Sequence, residues 1–353
     1  MGTLTTAEWM RLRAGMFFGL RGDGSNPQDG IYTLLKEMLN NAVDEFLKGH
    51  GNVIDIVFDE TKASVRDYGS GCPLSMARVD ENWSKTKEQC SIIGKTIRLV
   101  GFGLVVTNAV SADFYIGTIH NGMKSWDKYS NGVLIEHGEE STTESDGTVV
   151  EFTPNADVFN NYAFREGCVK EIVRHYCYMN KDLTIHLNGV QYKSEGGLLD
   201  LVMERLTDEP LYAPIHFEGK YIEVVLTHVV GDDTKILSFV NGYETIKGGT
   251  HKEAFQTVLT NTFRKLSRKD LTRRDCLQGV YAAIRISVRD PYFVESAKWQ
   301  LCTKHMFEAD GGQDHDPKAI TVQKYISGFV RKNLTRHLCH HEDISEIIRQ
   351  KRN

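Results

Sequence analysis

Between residues 31 and 46, Ile31, Leu34, Leu35, Met38, Leu39, Ala42, Val43 and Phe46 recur at helical spacing until Gly49 and Gly51 stop the run. This predicts an amphipathic helix. Residues 52–60 and 63–67 then alternate or run β-branched on either side of a short polar turn, which predicts a hairpin. A polar stretch, 84–95, leads into Gly101-Phe102-Gly103 and a small apolar helix ending near Val110. Several strands follow between residues 113 and 152, punctuated by Asn121-Gly122, Asn131-Gly132 and Asp146-Gly147. Residues 157–179 read as one helix, and 183–187 as a strand closed by Asn188-Gly189. Together these elements imply a sheet with helices gathered on one face.

From about residue 212 the pattern restarts, with strands at 221–229 and 236–240, a helix from 251 to about 266, a strand at 280–288 and a helix at 317–337. Strand, helix, strand in that order implies a right-handed crossover and a second α/β domain. A chain of 353 residues, 41% hydrophobic and 25% charged, is long enough to hold two cores. The net charge of -5 carries no global nucleic-acid signature, so any DNA contact must come from a local patch. Arg264, Lys265, Arg268, Lys269, Arg273 and Arg274 form one such cluster, readable as a DNA-facing patch or as a solvated face. Seven cysteines without a CxxC pair argue against a zinc ribbon and a disulfide framework, and fit a reducing compartment. With no signal-like start and no long apolar window, the expectation is a soluble cytoplasmic protein without a membrane partner.

Four segments could carry chemistry. Glu37, Asn41 and Asp44, spaced four and three apart, fall within about 60° of one another on the first helix. A carboxylate can deprotonate or orient water and an amide oxygen can ligate a hard cation, so the trio suits metal-assisted phosphoryl chemistry. A solvated helix face has the same appearance. In Asp67-Tyr68-Gly69-Ser70-Gly71-Cys72-Pro73 an acid at a strand end precedes two glycines that permit close backbone approach, either to receive an exocyclic amine such as adenine N6 or simply to turn. Gly101-Phe102-Gly103 at a helix start suits phosphate oxygens or plain helix-entry packing. Thr148, just after a turn, can bond a base edge or cap a strand.

The order of these pieces resembles the nucleotide-binding motif series of the GHKL ATPases. The resemblance narrows to the type IIA topoisomerase B subunits, the gyrase B and topoisomerase IV B family. Residues 13–19, Arg13-Ala14-Gly15-Met16-Phe17-Phe18-Gly19, are similar to that family's RPGMYIG, and Asn41-Ala42-Val43-Asp44-Glu45 matches NAxDE. Phe239-Val240-Asn241 with Lys247-Gly248-Gly249-Thr250-His251 is similar to FVN…GGTH. Asp290-Pro291-Tyr292-Phe293 matches the DPxF that leads into the family's QTK loop, and puts Lys298 at its lysine. GHKL chaperones, histidine kinases and MutL proteins do not share the last two segments.

The resemblance implies an α+β chain: a GHKL (Bergerat) ATPase α/β sandwich with an N-terminal dimerisation arm over residues 1–205, then a transducer domain of ribosomal-S5-like α/β fold over 206–353. It implies ATP and Mg2+ as ligands. Glu37 would be the general base, Asn41 the magnesium ligand, and Asp44 a neighbour of the nucleotide. Asp67 would receive the adenine amine, supported by Thr148 and by the turn at Gly71. Gly101 and Gly103 would bracket the phosphates, and Lys298 would meet the γ-phosphate. The implied partners are a second copy on ATP binding, a topoisomerase cleavage subunit and double-stranded DNA, the chain serving as an ATP-operated dimerisation gate. The alternative is a nucleotide-binding clamp or sensor of the same fold with weak or no hydrolysis. Three segments depart from the family: its GGLHGVG is Ile97-Arg98-Leu99-Val100-Gly101-Phe102-Gly103, its DNGRGIP is residues 67–73, and its QTK is Ser296-Ala297-Lys298. A stiffer, bulkier phosphate loop is the expected consequence, and with it slow turnover or altered nucleotide use. No EGDSA or DxD segment of a cleavage domain is present, so the chain alone is not expected to cut DNA.

Overall fold

The computed structural model describes residues 4–80, 89–93, 96–100, 103–267, 271–289, 291–294, 298–306 and 320–350. The chain forms two compact units, one of residues 1–94 and 99–195 and the other of residues 95–98 and 196–353.

In the first unit, α1 (Thr6–Leu12), α2 (Ala14–Phe18) and α3 (Gly30–Leu47) precede the hairpin β1 (Val53–Phe58) and β2 (Ala63–Asp67). In chain order a short two-stranded pair, β3 (Gln89–Ile93) and β4 (Thr96–Val100, of which 96–98 group with the second unit), and the helix α4 (Gly103–Ala109) come after it. Next come β5 (Ser111–His120), β6 (Met123–Ser130), β7 (Val133–Ser141), β8 (Gly147–Pro154), α5 (Ala156–Phe159), α6 (Glu166–Met179), β9 (Thr184–Leu187) and β10 (Val190–Lys193). Eight of these strands make one sheet in the order β10-β9-β1-β2-β8-β5-β6-β7. Only β1 and β9 run parallel; the hairpin closes with Phe58 opposite Ala63.

The apolar stripe of α3 is the reason for the packing. Ile31, Leu34, Leu35, Leu39 and Val43 are fully buried, in one cluster with Ile54, Val65, Leu104, Phe152 and Val173. Each such side chain favours the folded state by about 1.5–3 kcal/mol, which fixes the helix's rotation and turns Glu37 and Asn41 away from the core. The first helix, α1, has no comparable stripe in the sequence. Its start is set by a reciprocal cap, in which the Glu8 amide donates to Thr5 Oγ1 and the Thr5 amide to the Glu8 carboxylate. Ala7 and Met10 tuck into the core, and Arg11 donates to the carbonyls of Ala109 and Asn131.

The single helix expected over 157–179 is instead two. Asn160 and Asn161 adopt left-handed φ values of 49° and 52°, a conformation asparagine tolerates but a helix cannot contain. The break turns Phe159, Tyr162 and Phe164 inward, where their rings meet edge to face.

The second unit runs α7 (Leu198–Arg205), β11 (Ile215–Gly219), β12 (Ile222–His228), β13 (Lys235–Val240), β14 (Tyr243–Glu244), β15 (Gly248–Gly249), α8 (Thr250–Ser267), α9 (Arg273–Leu277), β16 (Val280–Ile286), β17 (Gln300–Leu301), α10 (Val322–His340) and α11 (Glu342–Gln350). The division of the chain falls ahead of α7 because that helix packs on β12 and β16. Five strands form a sheet in the order β11-β12-β16-β13-β14, with β13 and β16 parallel across the α8 connection that the sequence implies. The last long helix begins at Val322, capped by Thr321 Oγ1, which accepts from the Lys324 amide. It runs to His340, and the earlier part of the expected helix, 317–319, lies outside the described residues.

A two-residue parallel pairing ties the start of α8 to a segment some fifty residues later in the chain, which the sequence pattern does not announce. Gly248 and Gly249 lie beside Gln300 and Leu301, and the Lys247 amide donates to the Trp299 carbonyl at 3.0 Å. A side chain on Gly249, at φ 131°, would collide with the Leu301 backbone. Next to it Thr250 Oγ1 donates to the Thr303 carbonyl, while His251 is fully buried with Nε2 3.0 Å from Thr245 Oγ1. Burial pushes the His251 imidazole down to about 3, so it stays neutral.

Candidate active site

The polar face of α3 and the ends of β2 and β8 build one constellation in the first unit. Glu37 is half-buried, and a Cβ placed on Gly103 would lie 2.5 Å from its Oε2. The missing side chain at Gly103 is therefore what lets the carboxylate lie against the start of α4. One turn along, the Asn41 amide nitrogen is 3.9 Å from Cys72 Sγ, and among the described residues the amide oxygen accepts no hydrogen bond. Asp44 is buried at the next turn.

Glu45, which no sequence argument singles out, ties α3 to the turn after β2. Its carboxylate accepts from Lys48 Nζ at 2.7 Å, from the Ser70 amide at 2.9 Å and from Ser70 Oγ at 2.6 Å. Burial alone would raise its pKa, but the bonds from Lys48 and Ser70 outweigh that and hold the carboxyl at about 2. Gly69 has to be glycine here, since a Cβ would come within 2.6 Å of the Glu45 side chain. The local signal is an acid at the end of NAxDE with a serine in the following glycine turn; neither is informative until the two segments meet.

Asp67 closes β2 and is 7% exposed. Its Oδ1 accepts from the Gly69 amide at 2.8 Å and from the Thr148 amide at 3.2 Å, which brings two of the residues chosen from sequence into direct contact. Burial lifts the Asp67 pKa above the ordinary carboxylate range, against the two amide bonds and with help from the charge on Glu45. Among the described residues Oδ2 accepts nothing, and Thr148 Oγ1 is buried without a partner. A buried polar atom left unpaired is costly, so the Thr148 hydroxyl is disposed to exchange a hydrogen bond with a polar ligand. Gly71, at φ 87°, packs the turn against the end of β5, where a Cβ would be 2.6 Å from Thr118 Oγ1.

Other candidates lie elsewhere. Gly101 is outside the described residues. Lys298 belongs to the second unit, where its Nζ sits 4.1 Å from the centre of the Tyr243 ring. Of the basic cluster, Arg264 donates to the Leu271 carbonyl and Arg273 pairs with Glu253, while Arg268 and Lys269 lie outside the described residues. Among the described residues no three His, Cys, Asp or Glu side chains gather as metal ligands, so a hard cation held by Asn41 would take its remaining ligands from phosphate and water. The Asn41 carboxamide oxygen, which accepts no hydrogen bond among the described residues and stands one turn from Glu37, fits that requirement. Cys72, Cys168, Cys177, Cys276, Cys302 and Cys339 are free thiols, and among the described residues no helix is long and apolar enough to cross a membrane.

Comparison with known proteins bears on both units. A family model described as DNA gyrase B matches residues 197–309. The B subunit of DNA topoisomerase 4 from Borreliella burgdorferi is 34% identical over 334 residues, 94% of this chain and 54% of that protein. The DNA gyrase B subunit of Archaeoglobus fulgidus is 29% identical over 360 residues, 93% and 54% of the two chains. The 43K ATPase domain of Thermus thermophilus gyrase B, solved in complex with an aminocoumarin, superposes over 99% of this chain and 94% of that one with a TM-score of 0.70 at 22% identity. That likeness establishes the expected α+β fold. The chain spans about half the length of the relatives it matches.

Proposed function

This chain belongs to the DNA gyrase B and topoisomerase IV B family, and from that premise we propose that it is the ATP-binding and ATP-hydrolysing gate of a type II topoisomerase, driving DNA strand passage by a partner cleavage core. The observation that carries the reading is the Asp67–Thr148 contact, with Asp67 Oδ2 and Thr148 Oγ1 left to bond a ligand, on the same unit as a Glu37 carboxylate laid against a glycine.

In this reading Asp67 accepts the adenine amine and Thr148 supports the base. Asp44 lies beside the nucleotide, Gly71 keeps the turn close to the base, and Gly101 and Gly103 leave room for phosphate. Asn41 holds magnesium through its carboxamide oxygen; the cation neutralises charge on the phosphates. Glu37 orients a water and takes its proton, which a carboxylate can do from hydrogen-bond distance. Lys298 supplies a cation for the charge that develops on the transferred phosphoryl group. Binding of the triphosphate joins two copies and closes the gate over double-stranded DNA, and hydrolysis reopens it.

The test is steady-state ATP hydrolysis with magnesium as protein concentration rises, beside sizing with a non-hydrolysable analogue. Hydrolysis climbing more than linearly, with a dimer that needs nucleotide, is the expected result. Tight binding and dimerisation without hydrolysis would move the assignment to a nucleotide clamp or sensor, and absence of binding would reject both.

A second expectation arises from Gly103. In Gly103→Ala the new Cβ meets Glu37 Oε2 at 2.5 Å and pushes the carboxylate aside. Misplacement by about 1 Å costs on the order of a hundredfold in rate, so kcat should fall by roughly that factor, over and above whatever analogue affinity is lost to a methyl group beside the phosphates. An unchanged kcat would mean that Glu37 does not work from this position.

A further inference from the structure

We propose that the solvent face of α10 is a contact surface for duplex DNA, one that grips the phosphate backbone in the absence of any nucleotide. It rests on the reading above only for the choice of DNA over other polyanions. The helix is built from two rows. Val322, Ile326, Val330, Leu334 and Leu338 recur every four residues and are buried in the core of the second unit. Offset from them by two residues, and so by about 200° around the axis, run Lys324, Gly328, Lys332, Arg336 and His340, all exposed, with Arg331 exposed beside them. Burial of the first row thus decides where the second points. At about 1.5 Å per residue, Lys324 and Arg336 are some 18 Å apart along the axis, so the cations lie along a line and are not bunched at a point.

What sets this row apart is the lack of any acid beside it. Residues 320–341 contain no aspartate or glutamate, in a chain whose net charge is -5. Elsewhere the surface pairs its cations: Lys170 with Glu166 on α6, Lys124 with Glu144 and Lys128 with Glu136 on the large sheet. Among the described residues Lys324, Arg331, Lys332 and Arg336 make no ion pair. The basic cluster at 264–274 is already engaged in part, since Arg264 donates to the Leu271 carbonyl and Arg273 is paired with Glu253. A face that served solubility alone would intersperse both signs.

Helix stability does not account for the row either. Lys324 stands in the first turn, where the macrodipole disfavours a cation, and Lys332 and Arg336 repel each other four residues apart. An anion laid along the helix relieves both. Duplex DNA carries one negative charge per about 1.7 Å of its axis, so a straight row of cations meets phosphates along its whole length. Such contacts hold and orient a duplex and carry no sequence information.

Fluorescence anisotropy of a labelled short duplex, titrated with the full chain at several salt concentrations and without nucleotide, tests this. Four phosphate contacts predict a slope of about -3.6 in log K against log salt, close to a hundredfold loss of affinity between about 50 and 200 mM. Lys332→Gln and Arg336→Gln should each make the slope shallower by about 1, whereas Lys332→Arg should keep it. The variant carrying Lys324→Gln, Arg331→Gln, Lys332→Gln and Arg336→Gln should lose the binding, yet melt no lower than wild type, because it touches no buried side chain and relieves the repulsion. Lys265→Gln/Arg274→Gln, on the other basic cluster, should bind as wild type. No binding by the wild type at low salt, a slope unmoved by the α10 variants, or an equal loss in Lys265→Gln/Arg274→Gln would each overturn the proposal. So would binding that appears only with a non-hydrolysable ATP analogue. Competition by polyglutamate as effective as by unlabelled duplex at equal charge would assign the face to an acidic protein instead. ATP hydrolysis measured without DNA should be the same in all these variants, so a failure here is distinct from a failure of the nucleotide reading.

Discussion

In Glu37→Ala, steady-state ATP hydrolysis should fall by about 10²- to 10⁴-fold, the usual contribution of a positioned general base, while affinity for a non-hydrolysable analogue stays within about threefold. The two quantities separate because a base acts on the proton of the attacking water and makes little contact with the bound triphosphate in its ground state. The geometry sharpens the expectation. Glu37 stands on the face of α3 turned away from the apolar stripe, and its Oε2 lies against Gly103, so truncation to Ala leaves the helix's buried side chains untouched. Folding should therefore survive, and a melting curve beside the kinetics separates lost chemistry from lost structure. Nucleotide-dependent dimerisation should survive too. Hydrolysis at the wild-type rate would take Glu37 out of the mechanism, and binding lost in step with hydrolysis would make it a ligand contact instead of a base.

The contrast between Glu37 and Glu45 shows how much of such a site a sequence can disclose. Periodicity places α3 and its polar face correctly, because the apolar residues at Ile31, Leu34, Leu35, Met38, Leu39, Ala42 and Val43 report their own burial. The hairpin after it is equally legible, with strand ends at Phe58 and Ala63. Glu45 is not, since its role depends on Ser70, whose amide and hydroxyl it accepts from across the fold. Residues 248–249 and 300–301 escape notice as strands for the same reason. Two residues carry no period, and their pairing is visible only once Gly248 and Gln300 lie side by side. The helix break at Asn160-Asn161 is hidden because the apolar spacing on either side favours continuation, and only the inward turn of Tyr162 and Phe164 decides against it. Local pattern thus locates the elements, while tertiary contact selects which polar residues act together.

Asp67 offers the sharpest separation of stability from binding. Its Oδ1 is engaged by the Gly69 and Thr148 amides, and Oδ2 accepts nothing among the described residues. In Asp67→Asn the carbonyl oxygen can keep both amide bonds, which leaves an NH2 group where the adenine amine would have to donate. Two donors then face each other. A hydrogen bond to a charged acceptor contributes about 1.5–3 kcal/mol, so affinity for ATP or its analogue should fall by about 10- to 100-fold in Asp67→Asn and at least as far in Asp67→Ala. Stability should go the other way. Burial, the largest influence on Asp67, raises its folded-state pKa above the unfolded value. Its contribution to stability is therefore complete below the unfolded pKa and is lost as pH rises through the folded one, so at neutral pH the ionised carboxylate works against the fold. Asp67→Asn should accordingly melt no lower than wild type at pH 7 while binding far more weakly. In the wild type, acidification should weaken nucleotide binding at a pH above that of an ordinary aspartate, because the protonated acid can no longer accept at both oxygens. Titrations of wild type and Asp67→Asn across that range decide the matter: wild-type affinity in the variant would remove Asp67 from base recognition, whereas a stable, folded variant that fails to bind would leave it no other role.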